Sequence, residues 1–525
     1  MKPEKSFMPF RMMGGVALVA LMGFFCQAGA ASVPDSSMKP FADNLKQLQP
    51  TAVFTDFYRI TQVPRPSHHE EKISAFAAAF GRSLNLETQT DEVGNVIIRL
   101  PATKGYENRV GVVLQAHMDM VPQATPDKVH DFQKDPITVY VKDGYLTADR
   151  TTLGADDGIG MAIIMALLQD PNLEHGPIEA LFTVNEEDGF SGVNGLKAGI
   201  LKGRYLINID SENEGTFTIG SAGGAFVDAL GKYSPVAVPK GMQGYQLVVT
   251  GLEGGHSGVD IHKGGGSASK LMARLLWTAD RFGLRLASLD SGGRYNAIPR
   301  DASALVAIPQ PRSAAFEAYV QSFEKIAQSE LAVTDPKLAV SVKPVPCPPQ
   351  VMEKKAQDRM LSAVFGSING VQRMSDSVPG LVETSSSIGI FQAGKGQWTV
   401  GIYVRSAIDS ARDDTIQKLT AVMQLSGAEV RGHDLYSGWR PDVASPLLAL
   451  MKEVYRQKFG KEAKIDAVHA GLETSVIGAK YPEMKMISVG PTLEKVHSPD
   501  ERLEIASVGK VYDLLTETLG RVPAQ

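Results

Sequence analysis

Apolar runs alternate with amphipathic stretches along most of the chain. Residues 110–114 carry no polar side chain, as expected of a strand that is buried on both faces. Residues 158–168 are nearly all apolar and predict a buried helix. Further strands are predicted at 96–100, 178–184, 205–209 and 484–489, and further helices at 70–84, 447–459 and 505–519. Strands that alternate with helices in this way predict an α/β domain with a mostly parallel central sheet.

Residues 224–422 follow a different pattern. The elements predicted there are strands at 245–250 and 398–404 and a helix at 268–282. Residues 251–266 contain seven glycines, so we expect a loop with unusual backbone angles. The pattern predicts an inserted α+β lid or dimerisation domain over residues 224–422, between two parts of the main domain, 31–223 and 423–525.

The first thirty residues differ again. Basic residues precede an apolar run at residues 12–26, and Ala28-Gly29-Ala30 follows it. This order predicts a signal peptide over residues 1–30 and an exported protein, periplasmic or secreted. An uncleaved N-terminal anchor is the alternative. Cleavage would leave Cys347 as the only cysteine, so the mature chain would have no internal disulfide.

The overall composition is that of a globular protein, with 43% hydrophobic and 21% charged residues. A length of 525 residues suits two or three domains. The formal net charge of −5 provides no basic excess for a nucleic-acid backbone, so nucleic-acid binding is set aside. After the first apolar run there is no second long one, so we expect no stable membrane insertion after signal cleavage.

Acids and histidines follow predicted strands, or open a predicted helix, in five segments. In open α/β sheets, ligands bind beyond the carboxyl ends of the strands. His117 and Asp119 come directly after such a strand, and residues two apart in an extended segment point the same way. Asp119 can therefore hold the ring of His117 in one tautomer, as a metal-bound histidine needs, although a structural histidine is the alternative. Asp156 and Asp157 open the apolar helix, where a plain N-terminal cap is the alternative.

The remaining segments supply Glu186 and Glu187 after one strand, Asp210 at the end of the next, and His497 near the C-terminus. A solvated acidic loop is the alternative for Glu186-Glu187-Asp188 alone. Together, ligands of the N and O type suit zinc or manganese. Two divalent ions that share a carboxylate can hold an attacking water and polarise a carbonyl. A spare glutamate beside a ligand is the natural general base.

These segments resemble the co-catalytic zinc metallopeptidases of the aminoacylase and carnosinase family, and among them the aminoacyl-histidine (cytosol non-specific) dipeptidases. The resemblance extends from about residue 45 to 520 and rests on the number and order of the motifs. The motifs are Gly154-Ala155-Asp156-Asp157-Gly158, Asp210-Ser211-Glu212, Gly254-Gly255-His256-Ser257-Gly258, Asn296-Ala297-Ile298-Pro299-Arg300, Val382-Glu383-Thr384-Ser385, His469-Ala470-Gly471-Leu472-Glu473 and His497-Ser498-Pro499-Asp500.

The resemblance implies a catalytic main domain that binds two zinc ions, with manganese or cobalt as alternatives. Asp156 would bridge the two ions, and the peptide bond after it would be cis. The other implied ligands are His117 and Asp210 for one ion and Glu187 and His497 for the other. Glu186 would accept the proton of the attacking water, and Asp119 would support His117.

The resemblance also implies residues that contact a short peptide substrate. His256 would polarise the scissile carbonyl, often from the partner subunit of a homodimer, although a surface histidine is the alternative. Asn296 and Arg405 would contact the substrate carboxylate or backbone, because arginine is suited to a bidentate carboxylate contact. A salt bridge within the lid is the alternative for Arg405. His469 and Gly471 complete the implied substrate-binding set.

Two positions depart from the family pattern. Asp157 stands where these dipeptidases usually have Asn, and Thr474-Ser475 stands where Cys-Gly is common. The implied activity is hydrolysis of dipeptides, either Xaa-His or of broad specificity. An N-acyl amino acid deacylase or a carboxypeptidase is the first alternative, and a non-catalytic peptide-binding protein is the second.

Overall fold

A twisted eight-stranded sheet forms the centre of the main domain in the computed structural model, which describes residues 39–525. In spatial order its strands are Glu87–Thr90, Val96–Leu100, Ile178–Thr183, Val112–His117, Tyr205–Asn208, Lys485–Ser488, Thr216–Ser221 and Lys464–Val468. The four strands from Ile178–Thr183 to Lys485–Ser488 run parallel. Their carboxyl ends therefore meet at one edge of the sheet, as predicted for an α/β domain.

Helices cover the faces of this sheet. The most apolar of them, Ala155–Leu168, packs between the helix Thr51–Thr61 and the strand Val112–His117. The other helices of this part are Phe41–Asn44, Glu71–Ser83, Ser191–Gly195, Pro446–Phe459, Glu473–Lys480 and Ile505–Arg521. One hydrophobic core joins residues from both ends of the chain. Among residues 39–525, no helix is long and apolar enough to serve as a membrane span.

A second sheet has nine strands, and all of its pairings are antiparallel. Its strands in spatial order are Ala339–Val345, Met242–Thr250, Ala302–Pro309, Arg285–Gly292, Val382–Gly394, Gln397–Ser406, Gly223–Lys232 and Glu429–Tyr436, with Gly370–Met374 beside Val382–Gly394. The helices Ala268–Thr278, Ser313–Glu330, Lys354–Gly366 and Asp409–Gln424 pack against it around a second core. The sheet extends past residue 422, because Glu429–Tyr436 pairs with Gly223–Lys232. The other domain bounds stay predictions.

Short strands complete the fold. A five-stranded sheet contains Lys39–Pro40, Val139–Lys142, Tyr145–Ala148, Arg502–Glu504 and Leu493–Glu494. Two-stranded pairs join Pro235–Ala237 to Gln350–Met352 and Gly255–His256 to Ala297–Ile298. In the second pair, Gly255–His256 lies within the glycine-rich loop and pairs with Ala297–Ile298, which directly follows Asn296.

The first predicted buried strand begins and ends later in the structure than in the prediction. The strand predicted at 110–114 is Val112–His117, so His117 is its last residue. The strand continues through Gln115 because this side chain is hydrogen-bonded inside the protein. The predicted signal peptide, residues 1–30, lies outside the described residues.

Candidate metal centre

The side chain of His117 lies between two carboxylates at the edge where the parallel strands end. Its Nε2 is 3.1 Å from Asp156 Oδ1 and 3.5 Å from Asp210 Oδ1. Asp210 follows the strand Tyr205–Asn208, and Asp156 lies at the beginning of the helix Ala155–Leu168. A strand end, a helix start and a loop thus bring three sequence-predicted residues together.

Asp156 contacts a second histidine with its other oxygen. His497 Nε2 is 3.0 Å from Asp156 Oδ2 and 2.9 Å from Glu187 Oε2. The Asp156 carboxylate therefore lies between two histidines, with His117 beside one oxygen and His497 beside the other. The potential ligand atoms of His117, Asp156 and Glu187 are all within 4.8 Å of one another. Imidazole and carboxylate ligands at such distances fit zinc or manganese.

The electrostatics of this cluster also fit a cation. Burial raises the pKa of Glu187 to about 7, and the charge of Asp156 adds to this effect. Contacts with Asp156 and Glu187 raise the pKa of His497 to about 11. Burial lowers the pKa of His117, but its carboxylate neighbours raise it well above the ordinary value. Glu187 Oε1 is buried without a hydrogen-bond partner among the described residues. A bound divalent cation would compensate this group of buried carboxylates.

Asp119 contacts both His117 and the loop that carries the glutamates. Its Oδ1 lies 3.4 Å from His117 Nδ1 and accepts a hydrogen bond from the Glu186 N–H at 3.0 Å. Its Oδ2 accepts from the Glu187 N–H at 3.3 Å and from Ser67 Oγ at 2.8 Å. Asp119 is thus placed to fix the ring of a ligating histidine, as carboxylates do in zinc sites.

The Glu186 carboxyl has no hydrogen bond or ion pair with another residue in the described part of the chain. Burial raises its pKa well above the ordinary value for glutamate, while the charge of His117 acts in the opposite direction. A general base needs a pKa nearer to neutral than that of a free carboxylate. The position and environment of Glu186 are therefore suited to proton transfer.

Asp157 occupies a structural position under the centre. Its Oδ2 accepts from the His117 N–H at 3.3 Å and its Oδ1 from the Gly160 N–H at 3.1 Å. Burial and the charge of Asp210 raise the pKa of Asp157 well above its ordinary value. The peptide bond between Asp156 and Asp157 is cis, as expected.

Sequence reasoning missed two buried residues that support the centre. Glu501 accepts hydrogen bonds from successive backbone N–H groups that end at Asp156. Arg65 donates from Nη1 to the carbonyls of Met118 and Asp119, at 2.8 Å each, and from Nη2 to the carbonyl of Gly154. Glu501 directly follows the His497 motif, and Arg65 stands between two prolines, so both lay next to features that the sequence does reveal.

A second group of predicted residues surrounds Arg405. Its Nη2 lies 3.3 Å from His256 Nε2, and its guanidinium carbon lies 3.8 Å from the ring centre of Tyr403. His469 Nε2 is 2.7 Å from Ser385 Oγ. Burial, with the charge of Arg405, lowers the pKa of His256 to about 4 and that of His469 to about 3. The imidazoles of His256 and His469 are therefore neutral beside the positively charged guanidinium of Arg405.

Among the described residues, no carboxylate forms an ion pair with Arg405. Only 3% of the residue is exposed, and no ion pair in residues 39–525 includes it. Its Nε also lacks a hydrogen-bond partner among these residues. A buried cation without a counter-ion is costly, and an anionic ligand would compensate it. This arrangement does not support the alternative of a salt bridge within the lid.

The last two predicted residues lie beside these groups. Asn296 is exposed, and its carbonyl accepts a hydrogen bond from the Ser257 N–H at 2.8 Å, next to His256. A Cβ atom on Gly471 would lie 3.0 Å from the ring of Phe190 and 3.2 Å from Tyr436 Oη. Phe190 belongs to the loop that follows Glu187, so Gly471 packs where the metal centre meets the Arg405 group.

A parallel sheet that ends in histidines and carboxylates is the arrangement of a metal-dependent hydrolase. The sequence profile of Peptidase family M20/M25/M40 matches residues 113–521, and the chain belongs to this family. The prediction that the protein is a metallopeptidase is thereby confirmed, and the ligand group around Asp156 is compatible with metal binding.

Two relatives match nearly the whole of their own length. The cytosol non-specific dipeptidase of Escherichia coli (strain K12) is 41% identical over 482 residues, which are 92% of this chain and 99% of that protein. The crystal structure of aminoacylhistidine dipeptidase from Vibrio alginolyticus has a TM-score of 0.87 at 39% identity and covers 92% of this chain and 98% of that one. The aminopeptidase PepT from Bacillus cereus has a TM-score of 0.57 at 18% identity and shows the fold alone. The predicted resemblance and fold class are confirmed.

The prediction of an exported enzyme, periplasmic or secreted, is wrong. The Escherichia coli relative is named a cytosol enzyme, and 99% of its length matches this chain. The prediction depended on a short basic and apolar pattern in residues 1–30 alone. Such a pattern is a feature of composition, and it involves none of the long-range contacts that make the metal centre specific.

Proposed function

We propose that the protein is a dipeptidase that binds two zinc ions and hydrolyses the peptide bond of dipeptides. The observation that carries this proposal is the position of Asp156, whose two oxygens lie 3.1 Å and 3.0 Å from His117 and His497. A carboxylate between two histidines is suited to bridge two metal ions. Asp210 would complete one coordination group and Glu187 the other.

Bound zinc would lower the pKa of a water molecule and polarise the scissile carbonyl. Glu186 takes a proton from the attacking water and gives it to the leaving amine, as a general base and then a general acid. Asp119 keeps the His117 ring in the tautomer that leaves Nε2 free for the metal. The buried Glu501 and Arg65 hold the backbone that leads into Asp156, through its N–H groups and through the Gly154 carbonyl.

The Arg405 group would hold the substrate. An unpaired, buried guanidinium is suited to the C-terminal carboxylate of a peptide. Neutral His256 can donate a hydrogen bond to the carbonyl oxygen, and Asn296 can contact the substrate backbone. The relatives support dipeptides as substrates, since both are named as dipeptidases. The resemblance also supports a homodimer, which light scattering of the purified chain tests.

The decisive experiment compares the zinc-loaded full chain with its Glu186→Gln variant on dipeptides, tripeptides and N-acyl amino acids. We expect dipeptide hydrolysis by the wild type and a decrease in kcat of about 10²–10⁴-fold in the variant at unchanged zinc content. Asp188→Asn is the matched control, because Asp188 is an exposed neighbour that pairs with His68. If the protein binds two zinc ions but hydrolyses N-acyl amino acids instead of dipeptides, it is a deacylase and the proposal is wrong.

A further inference from the structure

Four buried polar side chains form a second layer behind the metal centre. Glu473 is 0% exposed, and its Oε2 accepts hydrogen bonds from Gln115 Nε2 and Thr183 Oγ1, both at 2.6 Å. Asn208 Nδ2 donates to Gln115 Oε1 at 2.7 Å. We call these four residues, Gln115, Thr183, Asn208 and Glu473, the floor network. They form one continuous chain of hydrogen bonds that is closed to solvent.

Each strand residue of the floor network shortly precedes a residue of the metal centre. The pairs are Gln115 and His117, Asn208 and Asp210, and Thr183 and Glu186. Residues two apart in extended chain point to the same side, so the first two pairs share a face of the sheet. A shift in the floor network would therefore move the metal-centre residues with it.

Glu473 is also adjacent in sequence to residues of the proposed substrate-binding group. It begins the helix Glu473–Lys480 and directly follows residues 469–472, the segment that contains His469 and Gly471. We propose that Glu473 is a positioning residue that fixes the three metal-bearing strands relative to one another and to the segment 469–472. This inference rests on the metal centre proposed above.

The energetics of the floor network favour this role. Removal of the Glu473 carboxyl would take away the 2.6 Å acceptor that Gln115 and Thr183 share. Only longer hydrogen bonds would remain, from Gln115 Nε2 to Thr183 Oγ1 at 3.2 Å and from Thr183 Oγ1 to the Ala116 carbonyl at 3.4 Å. The loss of a buried acceptor is more costly than the loss of an exposed one. Burial raises the pKa of Glu473 to about 8. Its Oε1 has no hydrogen-bond partner among the described residues. Gln can therefore replace it, with the amide oxygen in the position of Oε2.

The test uses the full chain with Glu473→Ala and Glu473→Gln. The first measurement is zinc affinity, by competition with a chromogenic chelator, because it does not depend on the substrate. We expect the zinc Kd of Glu473→Ala to be about tenfold higher than that of the wild type, the usual effect of losing an outer support of metal ligands. Dipeptide hydrolysis should show a similar decrease in kcat with little change in KM. Glu473→Gln should restore most of both properties.

Glu179→Gln is the matched control. Glu179 is buried on the same strand, Ile178–Thr183, and accepts hydrogen bonds from the Lys202 and Gly203 N–H groups far from the metal centre. We expect a lower Tm but unchanged zinc affinity. Should Glu473→Ala fail to fold, Thr183→Val removes one donor of the network, and we expect it to weaken zinc binding in the same direction.

Three results would overturn the inference. Wild-type zinc affinity and kcat in Glu473→Ala, or in Thr183→Val where the alanine variant does not fold, would show that the network does not position the centre. Equal losses in Glu473→Gln and Glu473→Ala would show that the carboxyl acts through its own acid chemistry. If the wild-type chain itself binds no zinc, the proposed function fails and the floor network has no metal centre to support.

Discussion

The carboxylate of Glu501 holds the backbone of Asp156, the residue that lies between the two histidines. It accepts hydrogen bonds from the N–H groups of Leu153, Gly154, Ala155 and Asp156 at 2.8, 3.0, 2.8 and 3.4 Å. Only 2% of Glu501 is exposed. The orientation of Asp156 is therefore determined by an acid that does not itself belong to the ligand group.

We expect Glu501→Gln to weaken both zinc binding and folding. Its amide nitrogen cannot accept, so up to two backbone N–H groups lose their partner, at a cost of about 2–4 kcal/mol in the free energy of unfolding. Zinc affinity should decrease by about tenfold or more. Urea unfolding and chelator competition measure the two effects. Asp500→Asn is the control, since Asp500 is an exposed neighbour and should change neither quantity; an equal effect there would contradict the assignment.

Replacement of Arg405 should impair recognition of the substrate carboxylate. We expect Arg405→Ala to raise KM for dipeptides by about 100-fold, because a charge-assisted pair with a desolvated carboxylate contributes about 2–3 kcal/mol. The substrate that isolates this effect is a dipeptide amide, which has no carboxylate. Wild type should prefer the free acid over the amide, and the variant should lose that preference. The exposed Arg431 provides the control Arg431→Ala, which should keep it.

The residues of the proposed metal centre were predictable from sequence because each stands next to a local signal. His117 ends an apolar strand and Asp156 opens an apolar helix. Such patterns can be recognised without knowledge of the fold. The supports were not predictable, because their partners are distant along the chain. Glu473 lies 358 residues from Gln115, and Glu501 lies 346 residues from Ala155. Nothing in the periodicity of either segment indicates which residue completes the hydrogen bond.

Metal removal should destabilise the protein. The buried carboxylates of Asp156, Glu187 and Asp210 repel one another without a cation, and any ligand that binds only the native state stabilises it by mass action. At a free zinc concentration of 100 times Kd, the expected gain is about 2.7 kcal/mol. Calorimetry of the chain before and after chelator dialysis measures the change in Tm. In Asp210→Ala the difference should shrink, and a Tm that is independent of zinc in the wild type would contradict the proposed centre.

Replacement of Asp335 should impair substrate binding and leave the metal centre intact. It is 1% exposed and joins both ends of the glycine-rich loop that carries His256. Its Oδ1 accepts from the Glu253 N–H and its Oδ2 from the Gly266 N–H, both at 2.8 Å. Asp335→Asn replaces one acceptor with an amide that cannot accept, so one end of the loop should detach.

For this variant we expect kcat/KM to decrease by about tenfold, the equivalent of about 1.4 kcal/mol in transition-state stabilisation, with unchanged zinc affinity. Asp301→Asn is the control, because Asp301 is exposed and accepts a hydrogen bond from Thr250 near the same loop without joining its ends. The opposite pattern, weaker zinc binding with normal kcat/KM, would place Asp335 with Glu501 as a support of the metal centre. Together, Glu501→Gln and Asp335→Asn thus separate the residues that position the metal from the residues that position the substrate.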